Sequence, residues 1–442
     1  MRAREIILAL LIILAGAFLT GVKTGRIDIS WDEFNGEPFR WRGTEFIFEE
    51  TQDIPAPAPV QIEVQNSHGA VDIEVSDTGR VQVLFRKRVW RKDQAEAKAV
   101  ADRLRMIINR GGEGLVLSTN REEFPSKRFE TDFKILVPAG TAVLVKNSYG
   151  PVKAAGMGRT ELINSHGRVS AAMIGGELII RTSYESVDVD GVLADCRIEA
   201  PHGEVNARNI QGQLLVDSSY KNIRVERIAK KLTIVGSHSD ILARDLQGEA
   251  EIGSSYESIK VAGARAVKIR GHQSDIEVLD LKGAADIVND HGSVRAERIE
   301  GAFKVEGNNV QVWAQAVSGG DIDLSTSYQN VELFDISGKT TVVLTHGDLR
   351  LRPRDLAGPI DVQGSYAAVD LEWPTGLRTP FEAKTLSGEI HWGLAEKPSF
   401  AKTNGSSETK AFIEETGKPL IRISTTYGDI RVSDAAAKPP SN

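Results

Sequence analysis

Between Ser183 and Asn309 the chain repeats one pattern, and a fixed short period restricts a fold more tightly than composition can. An aromatic marker recurs at Tyr184, His202, Tyr220, His238 and Tyr256, followed by Gln273 and His291. The steps are 18 residues, with one of 17. Apolar residues keep constant offsets from the marker: Val187, Val189, Val192, Cys196, Ile198 and Ala200 after Tyr184, then Ile223, Val225, Ile228, Leu232 and Ile234 after Tyr220. Alternation at every second position marks strands with one buried face. Each unit therefore reads as two short strands. A bend divides them, often at glycine (Gly191, Gly212, Gly248, Gly283), and a second turn carries the marker. A lone unit would expose its apolar face, so the units stack, each strand pairing with its counterpart one coil later. The expected class is all-β, a single-stranded parallel β-helix (β-solenoid) with about 18 residues per coil and two short strands in each.

Alternation of Tyr with His leaves a second coil length open, twice the first. Outward charges decide between them. Glu251, Lys268, Asp286, Lys304 and Asp323 fall at equivalent places, as do Lys260, Glu277 and Arg295, and further on Glu332, Arg350 and Asp370. Opposite charges on adjacent strands stabilise by up to about 1 kcal/mol, and like charges destabilise. The shorter coil sets unlike charges side by side throughout, whereas the longer one would stack like on like.

The repeats span residues 60–433. Val60–Val75 supplies one complete unit around His68, after which the period breaks. Residues 76–142 are expected to form a capping insertion with strands over Arg80–Val89, Gly114–Thr119 and Phe129–Val137 and one helix over Asp93–Ile108, ending near Gly111-Gly112. Units resume at Tyr149 and His166 and continue past the central stretch at Tyr328, His346 and Tyr366. Thr385–Ile390 is a degenerate coil, residues 395–418 a polar loop, and Leu420–Val432 a last unit around Tyr427. Residues 434–442 read as a disordered tail.

Ahead of the repeats, Ile6–Val22 is an uncharged run of 17 residues behind Arg2 and Arg4. Residues 1–25 are thus expected to be a hydrophobic helix, as an uncleaved membrane anchor or a cleaved signal peptide, with the anchor preferred. Either places the solenoid outside the cytoplasm, in the periplasm or at the cell surface, or secreted after cleavage. Residues 26–59 form an irregular aromatic-rich segment (Trp31, Phe34, Phe39, Trp41, Phe46, Phe48) ending in a Pro-rich spacer. Two roles stay open for it: a belt at the membrane surface or a cap on the first coil. The net charge of −7 and the lack of any basic run exclude nucleic acid as a natural partner. Cys196, the one cysteine, occupies a core offset, so no intrachain disulfide exists.

Val137-Pro-Ala-Gly140 followed by a strand into Asn147-Ser-Tyr-Gly150, the recurring Ser-X-Gly-Asp/Glu-Val/Ile turns and the closing Thr426-Tyr-Gly-Asp-Ile430 resemble the bacterial putative-adhesin family of β-strand-repeat proteins of unknown function. The resemblance covers about residues 60–433. It implies a β-solenoid in the bacterial envelope with no established activity, and the family offers no catalytic residues to carry over. This chain departs from it by filling the turn slot with alternating Tyr and His.

That slot holds the candidate binding residues. All seven tyrosines occupy it (Tyr149, Tyr184, Tyr220, Tyr256, Tyr328, Tyr366, Tyr427), as do six of the eight histidines (His68, His166, His202, His238, His291, His346), and His272 lies one place off. With strands about 4.8 Å apart, the rings form a ladder along one edge. A Tyr between successive His residues leaves the imidazoles about 9.6 Å apart, too far to share one zinc, so no metal is expected. Cleavage of a polysaccharide would call for clustered carboxylates, and here acids alternate with bases. Asp240 and Asp275 read as turn formers, and the non-repeating His391-Trp392 as packing. No catalytic residue and no cofactor are expected. The sequence thus points to a non-enzymatic, envelope-located structural or interaction module, adhesin-like, held to the membrane by its N-terminal helix and meeting an unknown protein or glycan. The alternative is a carbohydrate-binding surface adhesin using the Tyr/His ladder, and a polysaccharide-processing β-helix enzyme is more distant.

Overall fold

The computed structural model describes residues 43–55, 61–111, 114–374, 378–402 and 409–435. The expected hydrophobic helix over 1–25 and most of the expected tail lie outside the described residues. Among the described residues no helix is long and apolar enough to cross a membrane.

The repeat folds as its period dictates. Val187–Val192 pairs in parallel with Val205–Ile210, and Cys196–Ala200 with Leu214–Ser218. Each residue meets its equivalent one repeat on, Val187 beside Val205 and Cys196 beside Leu214. Inward residues of the two strands face one another, and Val187, Val189, Val192, Cys196, Ile198 and Ala200 are all at most 3 % exposed. One continuous apolar core runs through the stack from Ile54 to Val432. No coil could bury this face alone, so the interface between coils carries the stability.

Charges fall in the expected register. Glu251, Lys268, Asp286, Lys304 and Asp323 are successive partners, as are Lys260, Glu277 and Arg295, and Glu332, Arg350 and Asp370. Lys260 and Arg295 approach Glu277 from both sides at 3.3 and 3.9 Å. Others depart from the direct pairing: Asp286 meets Arg270 diagonally across the strands at 2.9 Å, and Lys304 meets Glu306 on its own strand at 2.8 Å. Exposed pairs of this kind are each worth well under about 1 kcal/mol, so they select the register more than they hold the stack together.

The bend between the two strands differs from the sequence reading. Its recurrent left-handed residue is Met173 (φ 52°), Gly191 (82°), Asn209 (59°), Arg227 (56°), Asp245 (57°) and Gly263 (68°), continuing through Asp280, Arg298, Ala316 and Asp335. Of the four glycines expected there, Gly191 alone adopts this conformation. Gly212 answers a different need, because a Cβ on it would lie 2.3 Å from the backbone of Ala194 in the preceding coil.

Both ends depart from simple stacking. Coil 61–75 pairs directly with Ala142–Ala155, and the insertion between them doubles back onto the first coil's outer edge. There Gly114–Thr119 and Phe129–Val137 add one more parallel rung. Phe129–Val137 continues antiparallel into Arg80–Arg91 and then Thr44–Pro55. Part of the segment expected to be irregular over 26–59 is therefore a 12-residue strand, with Phe46 and Phe48 packed beneath the helix, while 56–60 and the residues before 43 lie outside the described residues. The helix spans Gln94–Arg103 and stops short of Ile108. Asn120 ends it, accepting from Arg105 N at 2.8 Å and donating to the Arg103 carbonyl at 3.1 Å. Met106–Gly111 then pairs antiparallel with Gly114–Thr119.

At the far end the order of coils is not the order of the chain. Ile421–Thr425 and Ile430–Asp434 lie between the coil of Ile360–Trp373 and the degenerate coil of Phe381–Trp392. The regular last repeat can pair on both sides. The degenerate coil carries Phe381 and Trp392, which pack with Trp373 at ring distances of 5.2 to 5.9 Å and suit an end layer. The expected polar loop 395–418 is instead a hairpin of Ser399–Lys402 and Thr409–Ile413, antiparallel to Phe381–Thr385, with 403–408 outside the described residues. Antiparallel strands thus flank the parallel ladder at both ends.

Candidate functional site

Two constructions recur in the marker turn, and Tyr184, His202, Tyr366 and Tyr427 use neither. Around Tyr149 and His166 the following glycine turns the chain: Gly150 and Gly167 have φ of 111° and 144°. A Cβ on Gly150 would sit 2.4 Å from the Gly69 carbonyl oxygen, which explains the Ser-X-Gly pattern. From Tyr220 to Tyr256 that glycine is replaced by Lys221, Ser239 and Glu257, and the aromatic residue itself becomes left-handed, with φ of 67° at Tyr220, 53° at His238 and 78° at Tyr256. Backbone amides tie the turns together, Gly150 N donating to His166 O at 2.8 Å and Tyr220 N to Ser237 O at 2.9 Å. Behind the turns runs a polar column that sequence reasoning missed. Asn147 donates to the carbonyls of Gly69 and Gly150 at 3.2 Å each, Asn164 to Gly150 and Gly167, and Asn289 to Ser274 and His291. Its sequence signal is the Asn, Thr or Ser two places before many markers.

These turns set the rings face to face. From His68 through Tyr149, His166, Tyr184, His202, Tyr220 and His238 to Tyr256, successive centroids are 4.5 to 5.6 Å apart and every pair is stacked. The 17-residue step then breaks the run. His272 pairs in register with Ser255 and meets Tyr256 edge-on at 5.9 Å, and His291 edge-on at 6.5 Å. Asn309 fills the next slot without a ring. Stacking resumes through Tyr328, His346, Tyr366 and Tyr427, the last pair being Tyr on Tyr at 4.7 Å because the final repeat is inserted there.

Stacking controls what the ladder can contact. Within the stacked runs each inner ring's faces are covered by its neighbours, so a ligand there meets edges: the tyrosine hydroxyls and the imidazole nitrogens. The tyrosines are 46 to 61 % exposed along that edge. In the stacked runs a tyrosine ring separates successive imidazoles, and among the described residues no cluster of three or more metal-ligating side chains occurs. Asp240 and Asp275 each accept from a serine one coil on, Ser258 Oγ at 2.5 Å and Ser293 Oγ at 2.6 Å. His391 lies 3.7 Å from Glu389 and 3.8 Å from Asp429, and Trp392 Nε1 donates to the Glu396 carbonyl. Cys196 is buried, and that burial pushes its thiol up to about 12, away from the thiolate.

At its head the ladder runs beneath the cap and opens a cleft of about 990 Å³. Four residues of the cap's outer face meet there because strand register brings them together: Glu45 lies beside Trp90, and Arg88 beside Glu130. Arg88 pairs with Glu130 at 2.5 Å and with Asp132 at 2.9 Å, and its guanidinium lies 5.8 Å from the Trp90 ring centre. Burial raises the Glu130 carboxyl above its ordinary value, against the pull of Arg88. His68, on the opposite wall, is lowered to about 4 by burial and then by Arg121 and Lys127, so it is neutral near pH 7. Tyr149, His166 and Glu185 complete that wall. Alternation along Arg80–Arg91 could have put Arg88 and Trp90 on one face, but no sequence signal says that this face overhangs the ladder.

Residues 59–433 match the model of the Toastrack DUF4097 family. The chain belongs to that family. The match covers the described solenoid together with its capping insertion. Among curated proteins none matches this chain. Two solved structures are similar to this Toastrack chain. One is a putative cell adhesion protein from Clostridium sporogenes, 8 % identical over 88 % of this chain and 100 % of its own, with a TM-score of 0.18. The other is a putative adhesin from Bacteroides fragilis, 13 % identical over 62 % of this chain and 96 % of its own, with a TM-score of 0.24. At such identities and scores neither likeness bears on what this chain binds.

Proposed function

We propose that this chain is a non-enzymatic interaction module of the cell envelope, adhesin-like in use, whose ring-bearing edge is its contact surface. The observation that carries this reading is the run of stacked rings from His68 to Tyr256, whose tyrosines present half-exposed edges along one side of the stack. Stacked rings with amide-tied turns form a stiff, pre-ordered surface, which reduces the ordering cost of binding. The solvent-facing acids support a non-catalytic role: Glu277 lies between Lys260 and Arg295, and Asp240 and Asp275 serve turns. The envelope location rests on the Ile6–Val22 run.

Labelled full-length protein should bind isolated bacterial envelopes saturably without altering their polysaccharides. Replacing Tyr184 and Tyr220 with serine should weaken that binding. New reducing ends or unsaturated sugars would overturn the non-enzymatic reading, and undiminished binding by the double variant would remove the ring edge from it. A narrower reading, a carbohydrate-binding adhesin, is favoured by the row of tyrosine hydroxyls, which can donate to and accept from sugar hydroxyls. A glycan array separates the two, because the narrower reading requires retention by defined saccharides.

A further inference from the structure

We propose that the cleft beneath the cap, at the head of the ring ladder, is a binding site for an uncharged, hydroxyl-rich saccharide. This rests on the reading of the chain as an interaction module and locates one ligand on it. Saccharides bind proteins largely by laying a C–H face on an aromatic ring while their hydroxyls exchange hydrogen bonds with fixed polar groups. Inside the stacked run from His68 to Tyr256 the ring faces are covered at 4.5 to 5.6 Å by the rings on either side, which leaves edges only. Trp90 is different. It is half-buried, stands outside the ladder, and among the described residues it stacks on no other ring, with the Arg88 guanidinium over one face 5.8 Å from its ring centre. Its indole shares the cleft with His68 and with the edge of Tyr149, so ring surface on one wall faces polar ring edges on the other.

The polar groups narrow the ligand class. Arg88 is tied to both Glu130 and Asp132, so its own charge is already met and one carboxylate is in excess. Among the described residues Arg88 is the one arginine or lysine of the lining, so none is left unpaired to hold an acidic sugar, and the additional carboxylates Glu45 and Glu185 repel one. These two are exposed at the rim, where solvent screens an ion pair with a lysine or ammonium ligand and leaves it weak. What remains is a set of pre-aligned donors and acceptors for neutral hydroxyls. Gly69, Gly150 and Gly167 line one wall without side chains and leave room for a ligand beside the turn backbone. The volume, about 990 Å³, is at the upper end of the range for ligand pockets, which suits an oligosaccharide better than a single sugar.

Titration calorimetry and saturation-transfer NMR on the full chain test this, using triacetylchitotriose, cellotriose and maltotriose as neutral probes and trigalacturonate and pentalysine as charged ones. At least one neutral trisaccharide should saturate, with both charged probes weaker. Trp90→Ala should weaken that binding about tenfold. Glu185→Ala, on the solenoid rim and outside the cap's fold, should weaken it by a smaller factor, so a cap disturbed by loss of Trp90 does not decide the matter. Near-UV circular dichroism checks that each variant is folded. No saturation by any neutral trisaccharide up to about 10 mM, a range that still detects millimolar affinity, overturns the proposal. Tighter binding of either charged probe also overturns it. If a neutral sugar binds, survives both cleft substitutions and is lost in Tyr220→Ala, the cleft is refuted while the wider reading of a binding surface stands.

Discussion

Gly191→Ala and Gly212→Ala add the same methyl group in neighbouring coils, yet the structure assigns them different costs. At Gly191 the backbone is left-handed, with φ of 82°, and the new Cβ would lie 3.6 Å from the nearest backbone atom, Met173 N, an ordinary contact. The cost there is conformational. An L-residue in this region loses about 1–2 kcal/mol, and a less flexible unfolded chain returns about 0.5–1 kcal/mol. The net expectation is a loss of about 1 kcal/mol. At Gly212 the new Cβ would lie 2.3 Å from the Ala194 carbonyl carbon and oxygen and 2.5 Å from Asp195 N. These are backbone atoms of the adjoining coil, so two coils must part, and the cost belongs at the upper end of overpacking, about 3 kcal/mol. The reverse change, Met173→Gly, relieves a left-handed residue (φ 52°) that is 70 % exposed and packs little, and should stabilise by about 0.5–1 kcal/mol. Urea unfolding followed by circular dichroism measures all three. Because stacked repeats can open in sections, hydrogen exchange at Val192 and Ile210 should report the same order locally. If Gly212→Ala costs no more than Gly191→Ala, or Met173→Gly destabilises, the assignment of strain to one column and close approach to the other is wrong.

His68 makes stability depend on pH. Its folded value of about 4 lies below the ordinary 6.5, so the unfolded chain takes up the proton first. The associated stability is complete above about pH 6.5 and is lost as pH falls towards 4. The shift alone corresponds to about 3 kcal/mol, and solvent screening of this partly exposed ring reduces it to about 1–2 kcal/mol. Urea midpoints should therefore fall across that window in the parent and less steeply in His68→Phe, and equal slopes would refute the assignment. Lys268→Glu places a third acid between Glu251 and Asp286 and should cost about 1 kcal/mol at low salt, shrinking in high salt. An unchanged melting temperature at low salt would show that the charge register contributes nothing. Cys196 should resist thiol reagents until the chain unfolds, and fast labelling of the native protein would contradict its buried position.

Much of the ladder could be read in the chain because a strict period turns sequence distance into spatial distance. His166 beside Tyr149 and Lys268 beside Glu251 follow once the coil length is known. The break at His272 was equally open to reading, since a 17-residue step must shift one turn out of line. The helix end at Arg103 was not, because Asn120, distant in sequence, supplies the hydrogen bonds that finish it. Trp90, Arg88 and Glu130 were also hidden: each sits on an ordinary alternating strand, and only docking of the cap points that face at His68.

By itself, then, the sequence determined the coil, its length, its inward residues and the row of rings, because every repeat states the same local preference and stacking satisfies all of them at once. The tertiary structure alone decided which bend residue is left-handed, where the last repeat enters the stack, and that the cap leaves a cleft over the ladder's head. Those depend on contacts between segments that share no period, and there neither spacing nor alternation carries information about distance in space.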